Sequence, residues 1–317
     1  MKGIYLKRRT VRNVAKVLVT GGAGFIGSHI VDRLLELGHR VLVVDNLSSG
    51  GRLENLSGVM KDIEFYPDDI RGLNRMRVLC RGVEYVIHEA AINRVQRSID
   101  NPVQANETNV NGTLNMLIAA RDCGVSKVIY ASSSSVYGDT IVSPKTETLP
   151  TSPKSPYAVS KLAAEHYCTA FTEVYGLPTV ALRYFSAFGK RQRADVQYAA
   201  VIPKFVDALR KGEPLTIYGD GEQTRDFTCV RDTAEATVMF ISNKATGVFN
   251  VGKGESSSIN QLVKFLEELT GIKAKCTHLD IPKGDWRDSL ADIAKIRREG
   301  YAPKYSLQSG LEWMLEA

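Results

Sequence analysis

Tyr157 and Lys161, in the run Ser155-Pro-Tyr-Ala-Val-Ser-Lys161, are the pair in this chain best suited to move a proton. Four residues apart, they share one face of a helix, so the ammonium can stand near the phenol ring. A free tyrosine ionises near pKa ~10, and a neighbouring cation favours the phenolate. Such a tyrosine is a candidate general base for an alcohol. The same spacing is common on solvated helix edges, so its meaning depends on what surrounds it.

What surrounds it is a dinucleotide-binding loop. Lys16-Val-Leu-Val-Thr20 reads as a buried parallel strand running into Gly21-Gly-Ala-Gly24-Phe25-Ile26-Gly27 and then an amphipathic helix over 25–37. Gly21 permits a tight turn, Gly24 lets the backbone approach a pyrophosphate, and Gly27 lets the helix lie close to the strand. The helix N-terminus offers amide groups and partial positive charge to phosphates. The next strand, Arg40-Val-Leu-Val-Val44, ends at Asp45, where an acid bonds adenosine ribose hydroxyls and repels a 2′-phosphate. The expected cofactor is therefore NAD rather than NADP. Its nicotinamide would place a second positive charge beside Tyr157. Asp45 could also cap the loop Asn46-Leu-Ser-Ser49-Gly50.

Composition agrees with a soluble globular protein. The 317 residues suffice for one large or two fused domains, and 44% hydrophobic with 24% charged residues is globular usage. No apolar run approaches the ~20 residues of a membrane helix. Residues 1–15 are basic without the apolar stretch of a secretory signal, and read as a leader before the first strand. The net charge of +6 suits a polyanionic small ligand as well as nucleic acid, but the basic residues are scattered rather than clustered, and no nucleic-acid partner is expected. Five cysteines, widely spaced with no Cys-x-x-Cys pair, read as reduced thiols in a cytoplasmic protein. The histidines show no metal-ligand spacing, and His88, closing a strand, reads as structural.

Further strands are expected near Ile63–Tyr66, 84–88, 127–131 and 179–183, with helices near 73–80, 102–123 and Pro156–Tyr175. This alternation predicts a doubly wound parallel α/β sheet, a Rossmann domain over 16–185. Ligands of such sheets bind at the carboxyl ends of strands, where Thr20, Asp45, His88, the 132–135 serines and Tyr184 fall. After about residue 185, glycine and proline punctuate short helices and isolated strands such as Gly247–Val251. Residues 186–317 are read mainly as a smaller substrate-binding lobe.

The chain resembles the extended short-chain dehydrogenase/reductase family over nearly its whole length. The resemblance is carried by TGGAGFIG at 20–27, DNLSSG at 45–50, ASSSSVYGD at 131–139, SPYAVSK at 155–161, RYFSAFG at 183–189 and TRDFTCVRD at 224–232. Within it the chain looks most like the UDP-hexose 4-epimerases, especially those acting on N-acetylated sugars. The resemblance implies that Tyr157 takes the proton of the sugar 4-hydroxyl while carbon 4 yields hydride to tightly bound NAD. Lys161 would bond the nicotinamide ribose and lower the Tyr157 pKa, and Ser133 would bond the same hydroxyl. The 4-keto sugar then turns over and takes the hydride back on its other face. Further cofactor contacts implied are Phe25, Ile26, Asn46, Ser49, Gly50, Ala90, Ala91, Ser132 and Tyr184, with Asp69 and Ile70 at adenine and Asn109 on the cofactor side. On the substrate side, Arg225 clamps the diphosphate, Leu215 to Tyr218 pack on uracil, Asp285 lies near the uridine ribose, and Ser135, Phe185 and Ser186 line the sugar. A homodimer through the helices near 102–123 and Pro156–Tyr175 is also implied.

Ser186 stands where relatives carry asparagine, and Pro282 where an arginine often precedes the Gly-Asp pair, with Lys283 or Arg287 as substitutes. Ser289 falls where epimerases restricted to plain hexoses carry tyrosine, so it leaves room for an N-acetyl group; alternatively it caps a helix over 291–298. A rival on the same scaffold is a nucleotide-sugar 4,6-dehydratase or decarboxylase. Dehydratases place an acid just before the Val-Tyr-Gly run, and here those positions are Ser133-Ser134-Ser135. Serine is a poor general acid. A non-catalytic dinucleotide sensor or RNA-binding relative could have discarded Tyr157, Lys161 or Ser133, and all three are present.

Overall fold

A computed structural model describes residues 14–48, 50–93, 95–195, 199–280 and 288–316. The basic leader up to residue 13, Ser49, Pro282, Lys283, Asp285 and Arg287 lie outside them. In the first half β1 (Lys16–Thr20), α1 (Phe25–Glu36), β2 (Arg40–Val44), β3 (Ile63–Tyr66), α2 (Leu73–Leu79) and β4 (Tyr85–His88) follow one another. Then come α3 (Val95–Asp100), α4 (Pro102–Asn106), α5 (Gly112–Asp122), β5 (Lys127–Ser133), α6 (Pro156–Tyr175) and β6 (Thr179–Tyr184). Apolar strands, buried on both faces, are the reason the sheet is parallel and sandwiched between helices. Its order is β3-β2-β1-β4-β5-β6 with one further strand beyond β6, and every pairing in it is parallel.

That further strand corrects the expected division of the chain. The second half contains β7 (Ala187–Phe188), α7 (Val201–Lys211), β8 (Leu215–Tyr218), β9 (Thr224–Arg225), β10 (Thr228–Cys229) and α8 (Val230–Val238). It continues with β11 (Gly247–Val251), β12 (Ser257–Ser258), α9 (Ile259–Thr270), β13 (Cys276–Leu279), β14 (Asp288–Ser289), α10 (Ala294–Arg298) and α11 (Leu307–Leu315). Gly247–Val251, read as an isolated strand of the small lobe, instead pairs with β6 as the seventh strand of the main sheet. Its apolar Phe249 and Val251 join the core that also holds Ile30 and Leu34 of α1 and Ala234 of α8. The lobe proper has its own core, with Phe205, Leu215, Ile217, Phe227, Leu262 and Leu266 in it.

The helix expected over 102–123 is also not continuous. Asn101 caps it, accepting from the Gln104 amide at 3.0 Å, with Pro102 at the first turn. A wider, π-type turn then spans Glu107–Asn111 before α5 begins. Such a bulge re-aims a side chain, and here the residue it turns inward is Asn109. Among the described residues no helix is long and apolar enough to cross a membrane.

Candidate active site

Two cavities meet at the carboxyl edge of the sheet. The larger, about 570 Å³, is walled by the glycine loop at Gly21, Gly24, Phe25, Ile26 and Gly27, and by Asp45, Asn46 and Gly50 beyond β2. Ile70, Ala90, Ala91, Ser132, Ser133 and Ser135 close its floor, and Tyr157, Lys161, Tyr184, Phe185 and Ser186 its inner end. The smaller, about 300 Å³, runs on from it into the lobe between Tyr218, Arg225, Phe205 and Phe227, and Ser186 borders both. A dinucleotide and a sugar joined to a second nucleotide require such a continuous groove.

The glycine loop fits a pyrophosphate. Gly21 sits at φ +69°, and a side chain there would strike the Ala90 amide at 2.6 Å. A Cβ on Gly27 would lie 2.2 Å from the Gly21 carbonyl, so only glycine lets α1 start this close to β1. Gly24 caps α1 with no side-chain bond, leaving first-turn amides for phosphate oxygens. The cradle therefore fits NAD.

Asp45 borders this cavity with its carboxylate already oriented. One oxygen accepts from the Ala23 amide at 3.0 Å and the other from Leu47 at 2.8 Å, so the acid caps its loop and still borders the cavity. Burial raises its pKa, against the pull of these two bonds. A 2′-phosphate would meet this anion; unit charges ~4 Å apart at an effective dielectric of ~20 repel by ~4 kcal/mol. Calorimetry on cofactor-stripped protein is expected to find NADP binding at least ~100-fold weaker than NAD. Equal affinities would show that Asp45 does not face the ribose.

At the inner end, α6 presents Tyr157 and Lys161. Ser155 caps it, accepting from the Ala158 amide at 3.2 Å. The Tyr157 amide donates to Ser98 Oγ at 2.9 Å, which locks the first turn to α3. The Tyr157 hydroxyl is hydrogen-bonded to Ser133. Ser133 Oγ also accepts from the Ser135 hydroxyl at 2.9 Å, so three hydroxyls form one chain. Lys161 Nζ donates to the Ala131 carbonyl at 2.8 Å and stands 5.9 Å from the Tyr157 ring centre.

This arrangement corrects one expectation about charge. In the protein alone, burial raises the Tyr157 pKa, and what opposes it is the Ser133 hydrogen bond rather than Lys161. Burial also pushes Lys161 down to about 8, partly countered by Glu89. Lys161 uses one of its three donors on Ala131 and keeps its charge, and bound NAD would add a second positive charge beside the phenol.

Other expected contacts sort themselves by where their atoms point. Asn109 is fully buried: its side-chain oxygen accepts from the Ile92 amide at 2.7 Å, and its nitrogen donates to the Ile92 carbonyl at 3.0 Å and Ser160 Oγ at 2.9 Å. It braces the β4 loop against α6 instead of bordering the cavity. Ser132 reaches the cavity, but its hydroxyl donates to Glu165 at 2.8 Å, inside a buried ion pair with Arg183. Asp69 is turned to Arg71 and Asn46, and the Arg71 hydrogen bond holds its carboxyl down at about 2. Asp68, not singled out in the sequence, lines the cavity beside Ile70. His88 is structural as read, bonded to Thr20 at 2.6 Å and Thr113 at 3.0 Å.

In the lobe, β8 pairs with β13 and alternates, so Leu215 goes into the core while Tyr218 faces the smaller cavity. The Leu215 side chain therefore does not line that cavity. Ser289 lies on β14 opposite Arg225 of β9, and its carbonyl accepts from the Asp226 amide at 2.7 Å. It does not cap a helix: α10 starts at Ala294, whose amide is held by Asp292 at 2.8 Å. Its side chain is buried, and it borders neither cavity as described. Buried Asp226, with amides of Lys253, Gly254 and Ala291 on its carboxylate, fixes this corner.

Sequence reasoning missed several cavity residues: Glu89, and Arg191, Gln192 and Arg193 at its mouth. The cationic cluster Lys190-Arg-Gln-Arg193 directly after RYFSAFG was the available signal for the last three. Asp195 ties Arg193 at 2.8 Å to Arg52 at 2.9 Å across the mouth. Exposed pairs like these are screened by solvent and contribute little to stability.

Comparison with known proteins agrees with this geometry. A solved UDP-N-acetylglucosamine 4-epimerase from Methanobrevibacter ruminantium, in complex with UDP-N-acetylmuramic acid, is 38% identical with a TM-score of 0.90, covering 95% of this chain and 98% of that one. The Thermus thermophilus UDP-glucose 4-epimerase, solved with NAD, is 37% identical with a TM-score of 0.87, covering 94% and 97%. A UDP-N-acetyl-alpha-D-glucosaminuronate decarboxylase of Bacillus cytotoxicus is 37% identical over 94% of this chain and 95% of its own length. The sequence model of the NAD dependent epimerase/dehydratase family matches residues 17–252. The chain belongs to that family, and NAD is its cofactor.

Proposed function

We propose that this enzyme inverts carbon 4 of a UDP-hexose, with UDP-N-acetylglucosamine and its galacto epimer as its principal pair. The observation that carries the reading is a single groove. It holds the Tyr157–Ser133 hydroxyl pair, the dinucleotide cradle and a second cavity ending at Arg225 and Tyr218. Hydride acceptance and return at carbon 4 is the chemistry NAD supplies when bound. Tyr157 takes the hydroxyl proton as the carbon is oxidised and gives it back when the 4-keto sugar is reduced, so no second substrate is consumed. Ser133 orients the same hydroxyl. Arg225 supplies a forked cation suited to a diphosphate. The Ser133-Ser134-Ser135 run offers no acid for expelling a 6-hydroxyl, which argues against dehydration. Support for the N-acetylated pair comes from the resemblance, which ties a small residue at position 289 to those sugars, on the strand paired with Arg225.

Incubation with UDP-N-acetylglucosamine, UDP-glucose and UDP-glucuronate separately tests this. The expected product of the first is an epimer of unchanged mass. Loss of water or of carbon dioxide from any of the three would replace epimerisation with the dehydratase or decarboxylase reading. The protein is further proposed to be a homodimer through α5 and α6. That face leaves Val159 (53% exposed) and Val174 (71% exposed) open to solvent. Light scattering that gave the mass of one chain would refute the dimer.

A further inference from the structure

Glu89 is the one acidic side chain at the inner end of the large cavity, among the described residues that wall it beside Tyr157, Lys161 and Tyr184. It follows His88 at the end of β4, and its amide donates to the Thr20 carbonyl at 3.1 Å, which anchors its backbone. Its Oε1 accepts from the Tyr184 hydroxyl at 2.7 Å. That hydroxyl is itself paired with Thr237 Oγ1 at 2.8 Å, so β6 and α8 together fix where the carboxyl points. Lys161 is close enough to pull on the Glu89 charge, and Glu89 acts in turn on Tyr157. Burial pushes its carboxyl up to about 7, against the Tyr184 hydrogen bond and the Lys161 attraction. A carboxylate in such a place costs free energy unless a cation offsets it.

Lys161 meets that need only in part, because burial still leaves the Glu89 carboxyl pushed up to about 7 against its attraction. Nor does Glu89 help Tyr157 to act as a base, since its charge raises the phenol pKa. What remains is the ring that must come within reach of Tyr157. It is cationic when oxidised and neutral when reduced. We propose that Glu89 is the counter-charge of the oxidised nicotinamide, so that this chain binds NAD⁺ in preference to NADH. A carboxylate on this wall stabilises only the cationic form, whereas an amide of the same shape stabilises both alike. The consequence is direct: the resting enzyme is held oxidised, ready for the next alcohol. The inference rests on NAD as cofactor and not on which sugar is turned over.

The test is the ratio of NAD⁺ to NADH affinity, measured by calorimetry on cofactor-stripped protein for wild type and Glu89→Gln. Glutamine keeps the acceptor for Tyr184 and removes the charge, so a role confined to positioning Tyr184 leaves the ratio unmoved. The expected result is a wild-type preference for NAD⁺ that falls about tenfold in Glu89→Gln, the effect of losing one nearby charge at moderate dielectric. Glu89→Ala, which empties a cavity-lining position, repeats the measurement where Glu89→Gln does not fold, with the same expectation. An unchanged ratio in the folded variant overturns the assignment.

Discussion

Tyr157→Phe is expected to lower turnover by two or more orders of magnitude, about 2.7 kcal/mol or more in activation free energy, while NAD binding stays close to wild type. The substitution removes one oxygen and keeps the ring, so packing on α6 is untouched. Nor does it loosen the helix start, because what ties Tyr157 to Ser98 is its backbone amide. The loss falls on the hydroxyl that Ser133 holds at the inner end of the cavity. Since burial raises the Tyr157 pKa, the wild-type rate should climb with pH as the phenol ionises, and that limb should be absent in Tyr157→Phe. Steady-state kinetics across pH reads both effects. Wild-type-like turnover in the variant would remove Tyr157 from the reaction.

Ser289→Tyr is expected to abolish activity on the N-acetylated pair while leaving activity on plain hexoses. Ser289 is 4% exposed and pinned on β14, with Arg225 of β9 opposite it and its own carbonyl tied to Asp226. A ring cannot be absorbed behind a strand held in this way; overpacking of a filled site costs ~1–3 kcal/mol. The ring must therefore displace β14 against Arg225 of β9, which borders the smaller cavity, and narrow the groove there. Rates with UDP-N-acetylglucosamine and UDP-glucose, with thermal unfolding as a folding check, separate the alternatives. An equal fall on both sugars in a stably folded variant makes Ser289 structural and leaves the N-acetyl reading without its main support.

What could be read from the sequence was whatever is local. The turn at Gly21, the close approach at Gly27 and the four-residue step from Tyr157 to Lys161 depend on neighbours in the chain, and the structure reproduces them. Pairings across the chain were not legible. Gly247–Val251 carries the pattern of a short strand, but only the exposed edge of β6 decides that it joins the main sheet. Asn109 looked like a cofactor ligand, yet the wider turn at Glu107–Asn111 rotates it onto Ile92 and Ser160. Leu215 and Tyr218 belong to one motif and part company because side chains alternate along a strand. Glu89 gave no signal at all, since nothing about an acid after His88 reveals that Tyr184 waits across the sheet end to hold it.

Carbon 4 of the sugar is proposed to be oxidised and then reduced by the same hydride inside one groove. UDP-N-acetylglucosamine carrying deuterium at sugar carbon 4 tests it most directly, with turnover in ordinary water and mass and NMR analysis of the epimer. The expected result is an epimer that keeps the deuterium at carbon 4, with none lost to solvent. Replacement of that deuterium by solvent hydrogen, or product formed without inversion at carbon 4, would contradict it.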